Sequence, residues 1–409
     1  MTRQARRWVA ALALLECTGC GSSSGNDTSQ SDEIAQGVRY DGDPEYRRNQ
    51  LVDSIVNPNN AYSALRLSRY TAAGWGALPE WNPHVSAVDL QRAQPPASPS
   101  DAWSRASIDD VPWERDALLE LGRKAFFGYP VQVFTPLRVL LGGPDFMPRH
   151  GFWADGSRLG GALWTQLPSG QVEPALTCAS CHASSENDRI IAGKNNAQID
   201  LEAASAEYYG GVAASTGHEG RLDVTADGRD NPTTVGDLRA VRSQTNLHRA
   251  ATLKNGLIPL AVRIETLIIT SLGESVRPPR KLAFALALYL WNLEPTPLLQ
   301  TNERTSRGQR LFSERCAGCH RPPSFSGPSV PLDVVGTDRS VGESPDRFTG
   351  NYRVPSLRGV GDRQRLFANG AVFDVRELLD PSRAAPGHPF GLDLPAEGRE
   401  ELLAYLATL

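Results

Sequence analysis

Two stretches of this 409-residue chain, "LTCASCHASS" at 176–185 and "SERCAGCHRPP" at 313–323, constrain it more than anything else in it. Each contains Cys-x-x-Cys-His, a core that can serve a zinc ion, a disulfide, a redox dithiol or a covalently attached haem. Zinc takes four ligands drawn together, and paired zinc motifs stand about 15–20 residues apart. Here the two copies open at Cys178 and Cys316, and each has its own His directly after the second Cys. A thioredoxin-like dithiol is expected once, in a βαβ setting, and has no need of that His. Covalent haem needs what is present: two thiols one helical turn apart to add to the porphyrin edge, then an imidazole to ligate the iron. Cys178, Cys181 and His182 are therefore read as binding haem one, and Cys316, Cys319 and His320 as binding haem two.

The remaining two of the six cysteines, Cys17 and Cys20, lie in "MTRQARRWVAALALLECTGCGSSSGND". Arg3, Arg6 and Arg7 precede an apolar run from Trp8 to Leu15, too short for the roughly 20 residues of a membrane-spanning helix and laid out like an export signal. Thr18-Gly19-Cys20 resembles a bacterial lipoprotein cleavage site, which predicts a signal over 1–20, a lipid on Cys20 and a place in the cell envelope, periplasmic or on the outer face. An ordinary cleaved signal without lipid is the alternative. No thiol lies outside these motifs, so an exported chain of this kind has no disulfide framework. With 42 basic and 46 acidic side chains and no basic run, nothing suggests nucleic acid.

Residues 21–103 read as a tether, over 21–43, followed by a small loop-rich module and a Pro/Ser linker at 91–101. "VPWERDALLELGRKAFF" has helical spacing and opens a first domain over 104–298. The runs "TLKNGLIPLAVRIETLIITSLGE" and "KLAFALALYLWNL" are apolar but too short or interrupted to span a bilayer, so both predict buried helices. "NERTSRGQRLFSERCAGCH" begins a second domain, 299–409, with a helix delivering Cys316, and "PAEGREELLAYLATL" closes it with another. Few alternating strand patterns are visible. The expected fold is mainly α, two cytochrome c-like domains each with one covalent haem, after an N-terminal extension.

The occupant of each iron's sixth position decides between electron transfer and chemistry. Apart from the initiator there is one methionine, Met147, so at most one site can be His/Met. His388, in "LLDPSRAAPGHPFGLDLP", is the candidate second ligand of haem two; Tyr352 and Tyr405 are the other residues there able to ligate. His218 and His248 are candidates near haem one, and Met147 reads as packing.

"LGRKAFF" before "ALTCASCH", then "RGQRLFSERCAGCH" and "YRVPSLRGV…RQRLFANGAV", resembles the bacterial di-haem cytochrome c peroxidase and MauG superfamily, from about residue 115 onward. The resemblance implies two cytochrome c-like domains around a haem pair and peroxide reduction at the N-terminal haem. Electrons would reach it through the C-terminal haem from a small redox protein of the cytochrome c or cupredoxin type. In some relatives calcium sits between the domains. Glu265 stands ten residues after Asn255 with Pro259 between, as in the family's active-site segment, and so is implied as the acid/base; a solvated Glu or a partner of Arg263 or Lys254 is the other reading. The Trp of that segment is replaced by Asn246, Leu247 and His248, leaving Trp291 or another Trp to substitute, and no Met follows residue 147. A bis-His haem two is known in rubber-oxygenase-like relatives, whose first haem binds oxygen. An oxygen-dependent oxidase or dioxygenase, and a non-catalytic carrier with two six-coordinate haems, therefore stand beside the peroxidase reading.

Overall fold

A computed structural model describes residues 24–92, 94–99, 108–143, 145–210, 218–295 and 302–409. The expected signal, with Cys17 and Cys20, lies outside the described residues. The helices that frame the molecule are α1 (Ser24–Gly42), α2 (Pro44–Ser54), α3 (Ala61–Arg69), α4 (Arg115–Gly128), α5 (Leu257–Ser271), α6 (Arg280–Trp291), α7 (Glu303–Arg315) and α8 (Ala396–Leu406). Among the described residues none is long and apolar enough to cross a membrane.

The tether expected over 21–43 is corrected: from Ser24 it is helix α1. Its inward stripe is Glu33, Gly37 and Tyr40, at i, i+4 and i+7. Only Tyr40 of the three is a large apolar residue, which is why hydrophobic patterning misses the helix. Gly37 is required by close approach, since a Cβ there would stand 2.3 Å from the Phe284 ring.

A mainly α fold is also corrected. An antiparallel sheet of five strands, β1 (Val85–Asp89), β2 (Gln132–Val133), β3 (Ala154–Asp155), β4 (Arg158–Gln166) and β5 (Val172–Leu176), runs β1-β4-β5-β2, with β3 paired to β4. Ala162 pairs with Leu176 and Trp164 with Pro174. Strand β4 is buried on both faces along most of its length, so it shows none of the in/out alternation that marks a half-buried strand. The sheet aims the first pentapeptide: β5 runs into Thr177, whose amide and hydroxyl both bond the Gly161 carbonyl on β4.

The two apolar runs form α5 and α6, as expected. Both lie in the main core, with Leu282, Phe284, Leu286 and Leu288 fully buried. Met147 packs in a second cluster around Phe134, Phe146 and Trp164, and a third holds Phe312, Leu402 and Leu406. The expected division at 298/299 falls in the undescribed residues 296–301.

One packing unit occurs twice. Gly122 of α4 faces the Ala285 carbonyl and Tyr289 Cβ of α6, and Gly308 of α7 faces the Glu401 carbonyl and Tyr405 Cβ of α8. Four residues after each glycine stands a Phe, and the rings match as well. Phe126 lies 5.6 Å from Tyr289 at 55°, and Phe312 lies 5.3 Å from Tyr405 at 54°. The sequence trace is Gly-x-x-x-Phe, short enough to pass unnoticed. An added Cβ at Gly122 would meet backbone at 2.1 Å, so Gly122→Ala is expected to lose about 1–3 kcal/mol by overpacking. Urea unfolding of the variant against the parent measures it.

Candidate haem sites

The first pentapeptide is one turn of helix, Cys178–His182, capped by Thr177, whose hydroxyl accepts from the Ala179 amide. The second follows α7 directly: Cys316 ends that helix, and the amides of Cys319 and His320 donate to its carbonyl at 3.1 and 2.9 Å. A capping box between Asn302 and Thr305 fixes the start of α7. Two unrelated local structures, a strand exit and a helix exit, thus deliver the same turn.

The imidazoles are held alike. His182 Nδ1 lies 2.7 Å from the Gly236 carbonyl, and His320 Nδ1 lies 3.1 Å from that of Pro355 and 3.2 Å from that of Phe325. A carbonyl only accepts, so Nδ1 carries the proton and Nε2 keeps its lone pair. Burial lowers both rings from the ordinary histidine value, which keeps them neutral at pH 7. That is the tautomer and orientation of a metal-ligating histidine with its outer hydrogen bond in place.

Burial pushes the Cys178 and Cys181 thiols up to about 12 and Cys316 up to about 11. A redox dithiol works through a lowered thiol pKa, so Cys178, Cys181 and Cys316 are poor candidates for one. Among the described residues no three His, Cys, Asp or Glu converge as a metal-binding group, and neither pentapeptide is drawn into a four-ligand zinc site.

One cleft gathers Cys316, Cys319, His320 and His388, with Val335, Val354 and Phe390 in its largely apolar lining. Its cavity volume is about 160 Å³, below the roughly 300–1,000 Å³ of cofactor-sized sites. The loop carrying His388 is built rather than slack. The His388 amide donates to Val335 at 2.6 Å, and Arg383 bonds the carbonyls of Ala385, Gly387 and His388. His388 itself takes a left-handed φ of 45°, a conformation that costs a non-glycine residue about 1–3 kcal/mol. Its Nδ1 is buried without a partner, and burial with the nearby His320 pushes it down to about 4. It is therefore neutral at pH 7. Tyr352, the other ligand candidate in the cleft, donates its hydroxyl to the Asp338 carbonyl at 2.7 Å, and Tyr405 packs at a tilt against Phe312.

His218 and His248, the candidates for haem one, each have a polar partner, as does His150. His150 Nε2 meets Glu207 at 2.7 Å, and His218 pairs with Glu202 and with Asp230. His248 Nε2 accepts from Arg263 Nε at 2.5 Å. His84 is exposed, and Trp291 packs on the main core.

Glu265 stands in a setting the sequence did not suggest. It is fully buried, and Oε2 accepts from Tyr40 at 2.6 Å and from Tyr70 at 2.5 Å while Arg280 Nε lies 3.3 Å from Oε1. Burial, reinforced by the Glu265 charge, raises both phenols well above the ordinary tyrosine value, so they stay protonated and donate. The expected alternatives, a solvated Glu or a pair with Arg263 or Lys254, are corrected: the partner is Arg280. These contacts tie α5 to α1, to the residue ending α3 and to α6. None of them reaches His182, whereas the charge of Arg263, two residues back on another face of α5, acts on both Cys178 and His182.

No family model matches the chain, and no curated protein matches it in sequence. Among solved structures, hydrazine synthase of Kuenenia stuttgartiensis, determined under xenon pressure, has 15% identity and a TM-score of 0.40, covering 74% of this chain and 93% of its own. A MauG-like protein associated with microbial copper homeostasis has 14% identity and a TM-score of 0.40, covering 73% and 90%. At these scores neither likeness assigns a residue or a role to this chain.

Proposed function

We propose that the chain is an exported di-haem c-type cytochrome, with haem one on Cys178, Cys181 and His182 and haem two on Cys316, Cys319 and His320. The observation that carries this reading is the matched setting of the two imidazoles, each holding Nδ1 against a backbone carbonyl and so leaving Nε2 its lone pair. The duplicated Gly-Phe-Tyr helix packing supports it, because it gives each pentapeptide the same kind of helix pair. Bound there, haem supplies one-electron redox chemistry.

The two sites are not equivalent. His388 shares the cleft of His320 and supports ligation of haem two from both sides. The histidines toward haem one are spoken for by Glu207, Glu202 and Arg263, which favours an open sixth position there and admits a small oxidant. Peroxide reduction, with two electrons and two protons taken up per peroxide to give two waters, is the reaction proposed. The electrons would come from a small redox protein. An oxygen-dependent reaction uses the same open position, and a pure carrier needs both positions filled. The acid/base role expected of Glu265 forms no part of this reading, since its contacts anchor helices. Export and lipid attachment at Cys20 rest on the sequence of residues 1–20.

Mass measurement of the denatured chain tests the premise. Two covalent haems are expected, one lost when Cys178 and Cys181 are both replaced by Ala and the other when Cys316 and Cys319 are. A chain that retains zinc and no haem contradicts the reading.

A further inference from the structure

Between α3, α5 and the 345–348 segment the structure gathers three guanidinium groups that, among the described residues, form no ion pair with an acidic side chain. Arg66 of α3, Arg263 of α5 and Arg347 surround the Tyr62 ring, with Cζ atoms 3.5, 5.9 and 4.5 Å from its centroid. His248 meets the same ring edge-on at 4.9 Å. Tyr62, Arg66 and Arg347 are each at least nine-tenths buried.

The hydrogen bonds these groups make are to neutral atoms. Arg66 donates to Thr266 and to the Tyr62 carbonyl, Arg347 to the Val224 carbonyl, and Arg263 to His248. Four atoms on this wall are buried without a hydrogen-bond partner: Tyr62 Oη, His248 Nδ1, Arg263 Nη1 and Arg347 Nη1. Because His248 Nε2 accepts from Arg263, its Nδ1 carries the proton, so all four can donate. Burial, and the repulsion of Arg263, pull Arg66 and Arg347 down to about 10, so both remain charged at neutral pH. Like charges buried together, with their donors unfilled, are stable only when an anion joins them.

Guanidinium forks match a planar carboxylate. We infer that Tyr62, Arg66, His248, Arg263 and Arg347 form a carboxylate-binding box whose occupant is a propionate of haem one. Packing supplies the link: Cys178 lies against the core cluster that also holds Leu247, next to His248, and Leu260 and Ile264, which flank Arg263 on α5; the charge of Arg263 acts on both Cys178 and His182. The box also joins three parts of the chain. The amides of Ala61 and Tyr62 donate to the carbonyls of Pro345 and Asp346, and Asn57 and Asn60 donate to that of Phe348. A seated propionate therefore locks α3 and the 345–348 segment against α5. This inference rests on the di-haem reading and adds to it a role for the N-terminal module.

The test uses the haem-loaded protein, with the two haems first confirmed by mass, and compares Arg347→Met with the parent. Redox titration is expected to move the haem-one midpoint to lower potential, since an unbalanced propionate favours the ferric iron, and to leave that of haem two in place. The thermal midpoint should fall, and acetate should have no effect on the parent. A parent that melts higher in acetate, with an unmoved haem-one potential in the variant, assigns the box to a free carboxylate and overturns the propionate. A variant that melts higher than the parent with both potentials unchanged shows buried charges that no anion balances, and overturns the site altogether. Arg66→Met carries the same test where Arg347→Met fails to accumulate. Absence of covalent haem from the mass spectrum defeats the di-haem reading itself, an outcome distinct from an unmoved potential.

Discussion

Glu265→Ala is expected to lower the free energy of unfolding by about 3–5 kcal/mol, because it removes one partner of a buried ion pair and leaves the other unbalanced. Glu265 is wholly buried, and Arg280 is held against it at 3.3 Å. The loss reaches further, since Tyr40 and Tyr70 both donate to the same carboxylate oxygen and both are themselves buried. Three helical segments distant in sequence, α1, α3 and α6, thereby lose their shared tie to α5. Glu265→Gln is expected to fall between parent and Ala, keeping one acceptor oxygen but not the charge that Arg280 faces. Urea unfolding of the three proteins gives the order. A Gln variant as stable as the parent but without peroxide turnover would instead place Glu265 in the chemistry, as the sequence resemblance implied.

His388→Ala is expected to abolish the low-spin signature of haem two and leave haem one as it was. His388 lines the cleft that holds Cys316, Cys319 and His320, it is neutral at pH 7, and Tyr352 is occupied by the Asp338 carbonyl. Two neutral imidazoles on one iron give a six-coordinate, low-potential haem. Removing one should raise the haem-two midpoint and open the site, and imidazole added to the buffer should restore the low-spin spectrum. An unchanged spectrum in the variant removes His388 as a ligand. The left-handed backbone at His388, with three carbonyls around it gathered by Arg383, is difficult to explain for a residue that only meets solvent.

The pentapeptides stood out because their reading rests on residue identity and spacing, independent of the fold around them. His388 was singled out by elimination, in a stretch with few residues able to ligate iron, and the structure places it in the cleft of His320. The sheet was not, because β4 is covered on both sides and carries Gly160 and Gly161 where alternation would be sought. Nor was α1, whose packed stripe is Glu33, Gly37 and Tyr40. Glu265 shows the limit most plainly. Its spacing from Asn255 was visible, but Tyr40 and Tyr70 lie 225 and 195 residues away, and a local pattern holds no information about partners at that distance. The same holds for Tyr62, Arg66 and Arg347, which meet Arg263 only once the N-terminal module has folded onto the rest.

The electron paramagnetic resonance spectrum of the ferric protein, before and after peroxide, tests the central claim most directly. The proposed di-haem reading, with His388 as second ligand of haem two and an open sixth position at haem one, predicts one low-spin and one high-spin iron in equal amount, with peroxide altering the high-spin signal. Two low-spin irons that ignore peroxide would contradict it, and would make the chain an electron carrier with both sixth positions filled.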